Sequence, residues 1–421
     1  MTLMKHVFLS AAAISLFAVS AQADDLSSLK AQIEALNSRI AQLETTPAVP
    51  AGYQLLTVSD TDLVVAPEFS SARYFGTKGT QISIVPSADV PESTSITWTG
   101  YVAAAVTYVG KDIEGLDLNA DGDFLDAGEA APINSDAYDV LSKAGLEVRG
   151  KTETAVGEVG VSIVLLADSN TTIGGTNRTH DSSVATDGYK GYWKITPELE
   201  LSGGSFGSAA KNSQGWKGAC SCYFLGEDPT GHYGTNLGND PAQLRLTYKS
   251  GPIAFAMAVE DYDNRLIAGF STKSKLGVAA EMKFSGDGYG FELNGGYWDS
   301  AAVVSDANWS ISAGAKFDLG DIAVLTAALG TGEDRHTVGN GDKYVKGSIM
   351  ATFTLSDAVS LELGAAHRDY KARNDLTAFG GGLYYQPVDQ LTLGFEGLYS
   401  DEDGPRAVET VEAALVTVWR F

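Results

Sequence analysis

Between Ile96 and Phe421 one pattern recurs sixteen times: short segments in which apolar and polar residues alternate with a period of two. In the first of them Ile96, Trp98, Gly100, Val102, Ala104, Val106 and Tyr108 are apolar or small, and Thr97, Thr99, Tyr101 and Thr107 between them are mostly polar. A period of two puts successive side chains on opposite faces of a β-strand, so each segment presents one greasy and one wet face. The same grammar returns at 139–153, where Val140, Ala144, Leu146 and Val148 oppose Lys143, Glu147, Arg149 and Lys151. It returns again at 273–284, 309–317 and 391–399. The segments begin near residues 96, 139, 158, 187, 199, 242, 252, 273, 289, 308, 321, 343, 359, 376, 390 and 408, with those at 199 and 321 the faintest.

The connections alternate as well. Tight turns such as TAVGE, ITPEL, KSGPI, FSGDGY and QPVD are interleaved with longer stretches such as 110–137 and 207–240. A soluble sandwich has no reason to shorten every second connection. A transmembrane barrel does, because one rim carries turns and the other loops. Backbone amides cannot stay unpaired in lipid, so a sheet there has to close on itself. The expected fold class is therefore all-β: a 16-stranded antiparallel transmembrane β-barrel over residues 96–421, with the polar faces lining water.

The N-terminal part follows different rules. Residues 1–23 carry Lys5, the apolar run VFLSAAAISLFAV and an Ala21-Gln22-Ala23 end, the layout of a signal peptide removed after Ala23. At 24–46, Leu26, Leu29, Ile33, Leu36, Ile40 and Leu43 form a heptad seam, which predicts a short α-helical coiled coil on the periplasmic side. Leu/Ile/Ile at a with Leu at d leans toward two strands. Pro47 and Pro50 end that helix, and 47–95 reads as a linker and irregular segment with short β-like pieces.

Charge and cysteine content narrow the function. Fifty-three acids against 29 bases give a net charge of −24, which leaves no basic footprint for nucleic acid. Five His, at 6, 180, 232, 336 and 367, have no ligand spacing, and no Ser/His/acid grouping suggests an enzyme. Cys220 and Cys222, the two cysteines, are expected to be disulfide-linked in an oxidising compartment. The stretch DLNADGDFLDAGE resembles the first half of a calcium loop, with Asp117, Asn119 and Asp121 at positions 1, 3 and 5, the Asp123 carbonyl at 7, and Glu129 one residue late. A solvated acidic loop with Asp-Gly turns fits the same residues, and no cofactor is otherwise required.

The signal peptide, the opening strand WTGYVAAAVTY, the Tyr/Gly-rich alternation and the terminal WRF resemble an alphaproteobacterial outer-membrane porin, from about residue 80 to the end. The heptad is instead similar to the periplasmic coiled coils of some sugar-selective porins. The resemblance implies a homotrimer in outer-membrane lipid that passes ions and small hydrophilic solutes by diffusion. It also implies that the long loop after the fifth strand, 207–240, folds inward and narrows the channel. Acids of that loop (Glu227, Asp228, Asp240) would then face bases on the second, fourth and sixth strands (Lys143, Arg149, Lys151, Lys190, Lys194, Arg245, Lys249), giving a transverse field. The alternative is a sugar-selective channel with a lumenal binding track, for which the wet-face rings Tyr101, Trp298 and Tyr384 are candidates.

Overall fold

Sixteen antiparallel strands close into a ring in the computed structural model. It describes residues 56–63, 72–84, 94–118, 126, 128–168, 184–211, 222–225, 241–261, 276–298, 308–337, 340–371, 374–404 and 407–421. The ring runs β3 (Thr94–Ile113), β4 (Ile133–Thr154), β5 (Gly157–Asp168), β6 (Val184–Lys194), β7 (Leu199–Ser205), β8 (Ala242–Ser250), β9 (Ile253–Asp261) and β10 (Gly277–Ser285). It continues through β11 (Tyr289–Trp298), β12 (Asn308–Asp318), β13 (Ala323–Thr337), β14 (Asn340–Ser356), β15 (Val359–Tyr370), β16 (Leu376–Val388), β17 (Leu391–Glu402) and β18 (Val408–Arg420). Every strand pairs with its sequence neighbours, and β18 pairs with β3 from Val408↔Ile113 to Arg420↔Tyr101. Phe421 locks this seam: its N–H donates to Gly100 O at 3.0 Å, and its carbonyl oxygen accepts from Gly100 N–H at 3.1 Å. The faint segments at 199 and 321 are both strands, β7 and β13.

The two faces are inverted relative to a soluble protein. On β11, Phe291 and Leu293 are 44% and 45% exposed, while Glu292 and Asn294 between them are 3% and 2% exposed. On β3, Val102 and Val106 face out and Thr97, Thr99 and Thr107 face in. An apolar belt of this kind around a polar interior is stable only where the outside is hydrocarbon.

Short turns close one rim. Gly157 opens β5 at φ +112° immediately after such a turn, and a Cβ there would lie 2.0 Å from the Lys194 carbonyl oxygen, so only glycine fits.

The segment expected to be a linker is partly structured. β1 (Leu56–Asp62) pairs with β2 (Lys78–Ile84) as a hairpin, and β2 pairs with β3 from Thr80↔Trp98 to Ile84↔Thr94. β2 therefore lies along the edge of β3 beyond the point where β18 stops, at the short-turn rim. Its alternation was legible, but five paired residues on β3 give it a place only when the ring is present. The expected signal peptide (1–23) and coiled coil (24–46) lie outside the described residues.

Candidate functional site

The lumen is crossed by chain from two directions. The loop after β7, the fifth strand of the ring, turns inward at once: Phe206, Ala209 and Ala210 are fully buried. Its root is held by the wall of β8, β9 and β11. Glu260 on β9, itself fully buried, accepts from Ser208 Oγ at 2.9 and 2.8 Å, from Ala209 N–H at 3.0 Å and from Trp298 Nε1 at 3.2 Å. Gln243 Nε2 donates to Phe206 O at 2.5 Å and Arg245 Nη2 donates to Gly207 O. Asn294 Nδ2 donates to Ala209 O and Lys211 O, each at 3.2 Å.

The same loop is anchored again at 222–225, almost half a turn around the ring. Glu396 on β17 accepts from three consecutive backbone N–H groups, Tyr223 at 2.5 Å, Phe224 at 3.1 Å and Leu225 at 3.4 Å, and from the Tyr384 hydroxyl at 3.1 Å. Three amides converging on one carboxylate form a charge-assisted anion cradle, stronger than neutral bonds. Glycines make room for it: a Cβ on Gly382 or Gly394 would lie 2.3 or 2.7 Å from the Tyr384 side chain. Cys222 is disulfide-bonded and its Sγ lies 3.8 Å from Gly381 O; Cys220 lies outside the described residues.

The second insertion comes from the β1–β2 hairpin. Leu63 N–H donates to Thr77 O at 2.7 Å, closing the base of the hairpin connection. On its exposed side Lys78 bonds to Asp62 at 3.0 Å, which raises the ammonium above the ordinary lysine value. From this base a short 3-10 turn, Ala72–Tyr74, reaches into the lumen. Tyr74 stacks on Tyr101 with ring centroids 4.8 Å apart. The Arg73 guanidinium sits 4.0 Å over Tyr223 and 3.8 Å from Glu362 on β15. Arg420 on β18 binds both insertions, through Nε to Tyr74 O and through Nη2 to the Tyr223 hydroxyl, each at 2.9 Å.

The predicted wall bases behave in three ways. Arg149 pairs with Glu147 at 2.6 Å, Lys190 with Glu200 at 2.8 Å, and Lys151 and Lys194 flank Glu158 at 3.6 and 2.5 Å. These four are matched by carboxylates of the wall itself. Lys143 and Arg245 instead touch the insertions, Lys143 by donating to the Tyr74 hydroxyl at 3.2 Å. Lys249 is exposed near the short-turn rim. The predicted loop acids Glu227, Asp228 and Asp240 lie outside the described residues.

Asn119, Asp121 and Asp123 of the acidic loop also lie outside them. Glu129 accepts from the backbone N–H groups of Leu118 at 3.0 Å and Asp126 at 3.2 Å, so its two oxygens serve to close the loop. Among the described residues no group of three or more His, Cys, Asp or Glu is placed to hold a metal ion. Sequence reasoning missed Arg73, Tyr74, Glu260 and Arg420, and read Glu396 only as a wet-face residue. Its signal was faint: an acid in the middle of a strand, with Gly394 two positions before it and Gly397 after it.

Residues 208–374 match the family model described as Gram-negative porin. The outer membrane channel DcaP of Acinetobacter baumannii is structurally similar, with a TM-score of 0.56 at 16% identity, covering 80% of this chain and 99% of that one. A mutant of Rh. blastica porin gives 0.49 at 16% identity, covering 77% and 100%. No curated protein matches the sequence.

Proposed function

We propose that this chain is an outer-membrane porin of the alphaproteobacterial kind, a water-filled channel through which ions and small hydrophilic solutes diffuse. One observation carries the reading: an inside-out closed barrel whose lumen is narrowed by a loop pinned to two nearly opposite walls. Nothing in such a channel is turned over; solutes are sorted by size and by the charges they pass. The paired wall charges keep the lining hydrated while cancelling much of one another's field. Ion preference then depends on the charges at the narrowing that the wall does not cancel.

The sugar-selective reading is weakened by the rings it relied on. Tyr101, Tyr384 and Trp298 are 2%, 5% and 5% exposed, and each holds an insertion in place. Purified protein in a planar bilayer tests the porin reading: stepwise conductance supports it, and a chain that conducts neither as it stands nor with its lumenal insertions trimmed refutes it. Liposome swelling that saturates for one solute would reinstate the selective reading.

The trimer is a proposal of the same standing, checked by cross-linking in mild detergent. Calcium in the loop beginning at Asp117 is independent of conduction. Titration calorimetry on the full chain, with Asp121→Ala as control, decides it.

A further inference from the structure

We infer that Arg73, Tyr74 and Phe75 form a second constriction of the channel, a strap laid across the lumen from the short-turn mouth. The inference rests on the porin reading and goes beyond it, because it assigns part of the narrowing to chain that precedes the barrel. Topology brings the strap there. The hairpin base at Leu63 and Thr77 is fixed at the rim by the pairing of β2 with β3, and Ala72–Tyr74 enters the lumen from that end.

The contacts are those of a built element rather than a stray loop. Tyr74 and Phe75 are 3% and 6% exposed and both pack on Tyr101, with ring centroids 4.8 and 4.9 Å away. Arg73 is shared between a wall carboxylate, Glu362, and the loop residue Tyr223. One of its terminal nitrogens, Nη1, is buried with no hydrogen-bond partner among the described residues. A guanidinium held in the lumen beside Glu362 offsets that carboxylate's field, so replacing it by Glu would leave two neighbouring carboxylates on the path. The strap and the tip of the long loop therefore meet from opposite mouths and share Arg420 as a common clasp. A barrel needs no such segment to close its sheet, since all sixteen ring strands are paired without it. What the strap changes is the cross-section and the charge of the path.

The test uses the full chain with Arg73, Tyr74 and Phe75 all replaced by Ala, and separately Arg73→Glu, each recorded in planar bilayers beside the wild type. Heat-modifiable migration on a gel verifies that each variant keeps its barrel. The triple variant is expected to raise single-channel conductance about twofold, and Arg73→Glu to shift the reversal potential toward cations. If the triple variant fails to fold, Tyr74→Ala alone is read in its place, with a smaller rise expected. A silent wild type with a conducting triple variant also supports the strap, as a full closure. A conducting wild type whose variants show the same conductance and ion preference overturns the strap and leaves the porin reading intact. Silence of all of them overturns both.

Discussion

Glu396→Gln isolates the bond between the wall and the tip of the long loop. In the native chain Oε1 takes the Tyr223 amide and the Tyr384 hydroxyl, and Oε2 takes the Phe224 and Leu225 amides. Glutamine has a single acceptor oxygen, so whichever way it sits, its NH2 group confronts at least one of these backbone donors. One buried N–H left without an acceptor costs about 1–3 kcal/mol, and the surviving bonds lose the charge assistance, about another 1 kcal/mol. Together these put the loss in holding the tip at about 2–4 kcal/mol. Amide exchange at 223–225, measured by deuterium uptake of the full chain in detergent, should accelerate roughly 30- to 700-fold. Peptides from β10 and β11 serve as the internal reference and should not change. Equal acceleration of the wall peptides, or none at 223–225, would mean that Glu396 supports the barrel rather than the loop.

Other substitutions separate lining from scaffold. Lys190→Ala leaves Glu200 without its 2.8 Å partner and should shift the reversal potential toward cations. Arg245→Ala, which removes a clamp on Gly207 O, should raise current noise more than it alters ion preference. Gly157→Ala places a methyl group against the Lys194 carbonyl in a left-handed backbone and should cost about 2–4 kcal/mol, read as a lower temperature of heat modification. The Lys78–Asp62 bond raises the lysine, so its contribution is complete below the ordinary lysine range and disappears only as pH climbs through the raised value. Conductance between about pH 6 and about pH 9 should therefore not change through this pair, and a release of the hairpin in that window would contradict it.

The barrel was legible because its rule is local. Period two needs only neighbouring residues, so even β7, with the plain sequence LELSGGS, and β13 could be found from their flanking turns. The exit of the long loop after the fifth strand was legible too, since it depends only on counting. What held the loop was not legible. An inward-facing Glu396 or Glu260 looks like any other wet-face acid until the fold decides which amides arrive opposite it. Likewise Lys190 looked like a free wall base, and its partner Glu200 emerges only when β6 is paired with β7, whereas Glu147 lies two positions from Arg149 on the same face of β4 and was in plain view. The strap was hidden for a related reason. Arg73-Tyr74-Phe75 has no periodicity, and its value lies in Tyr101 and Arg420, which are 28 and 347 positions from Arg73.

The seam between β18 and β3 dictates the order of events during biogenesis. β18 pairs with β3 and Phe421 bonds to Gly100, so the cylinder stays an open ribbon, with two unsatisfied edges of amides, until β18 has been made. Loop closure over more than 300 residues is entropically slow, and until it happens both edge strands keep unpaired amides. The nascent polypeptide must consequently be escorted, uncollapsed and shielded from its own kind, all the way to its bilayer. Losing β18 would strand it there as an aggregation-prone sheet.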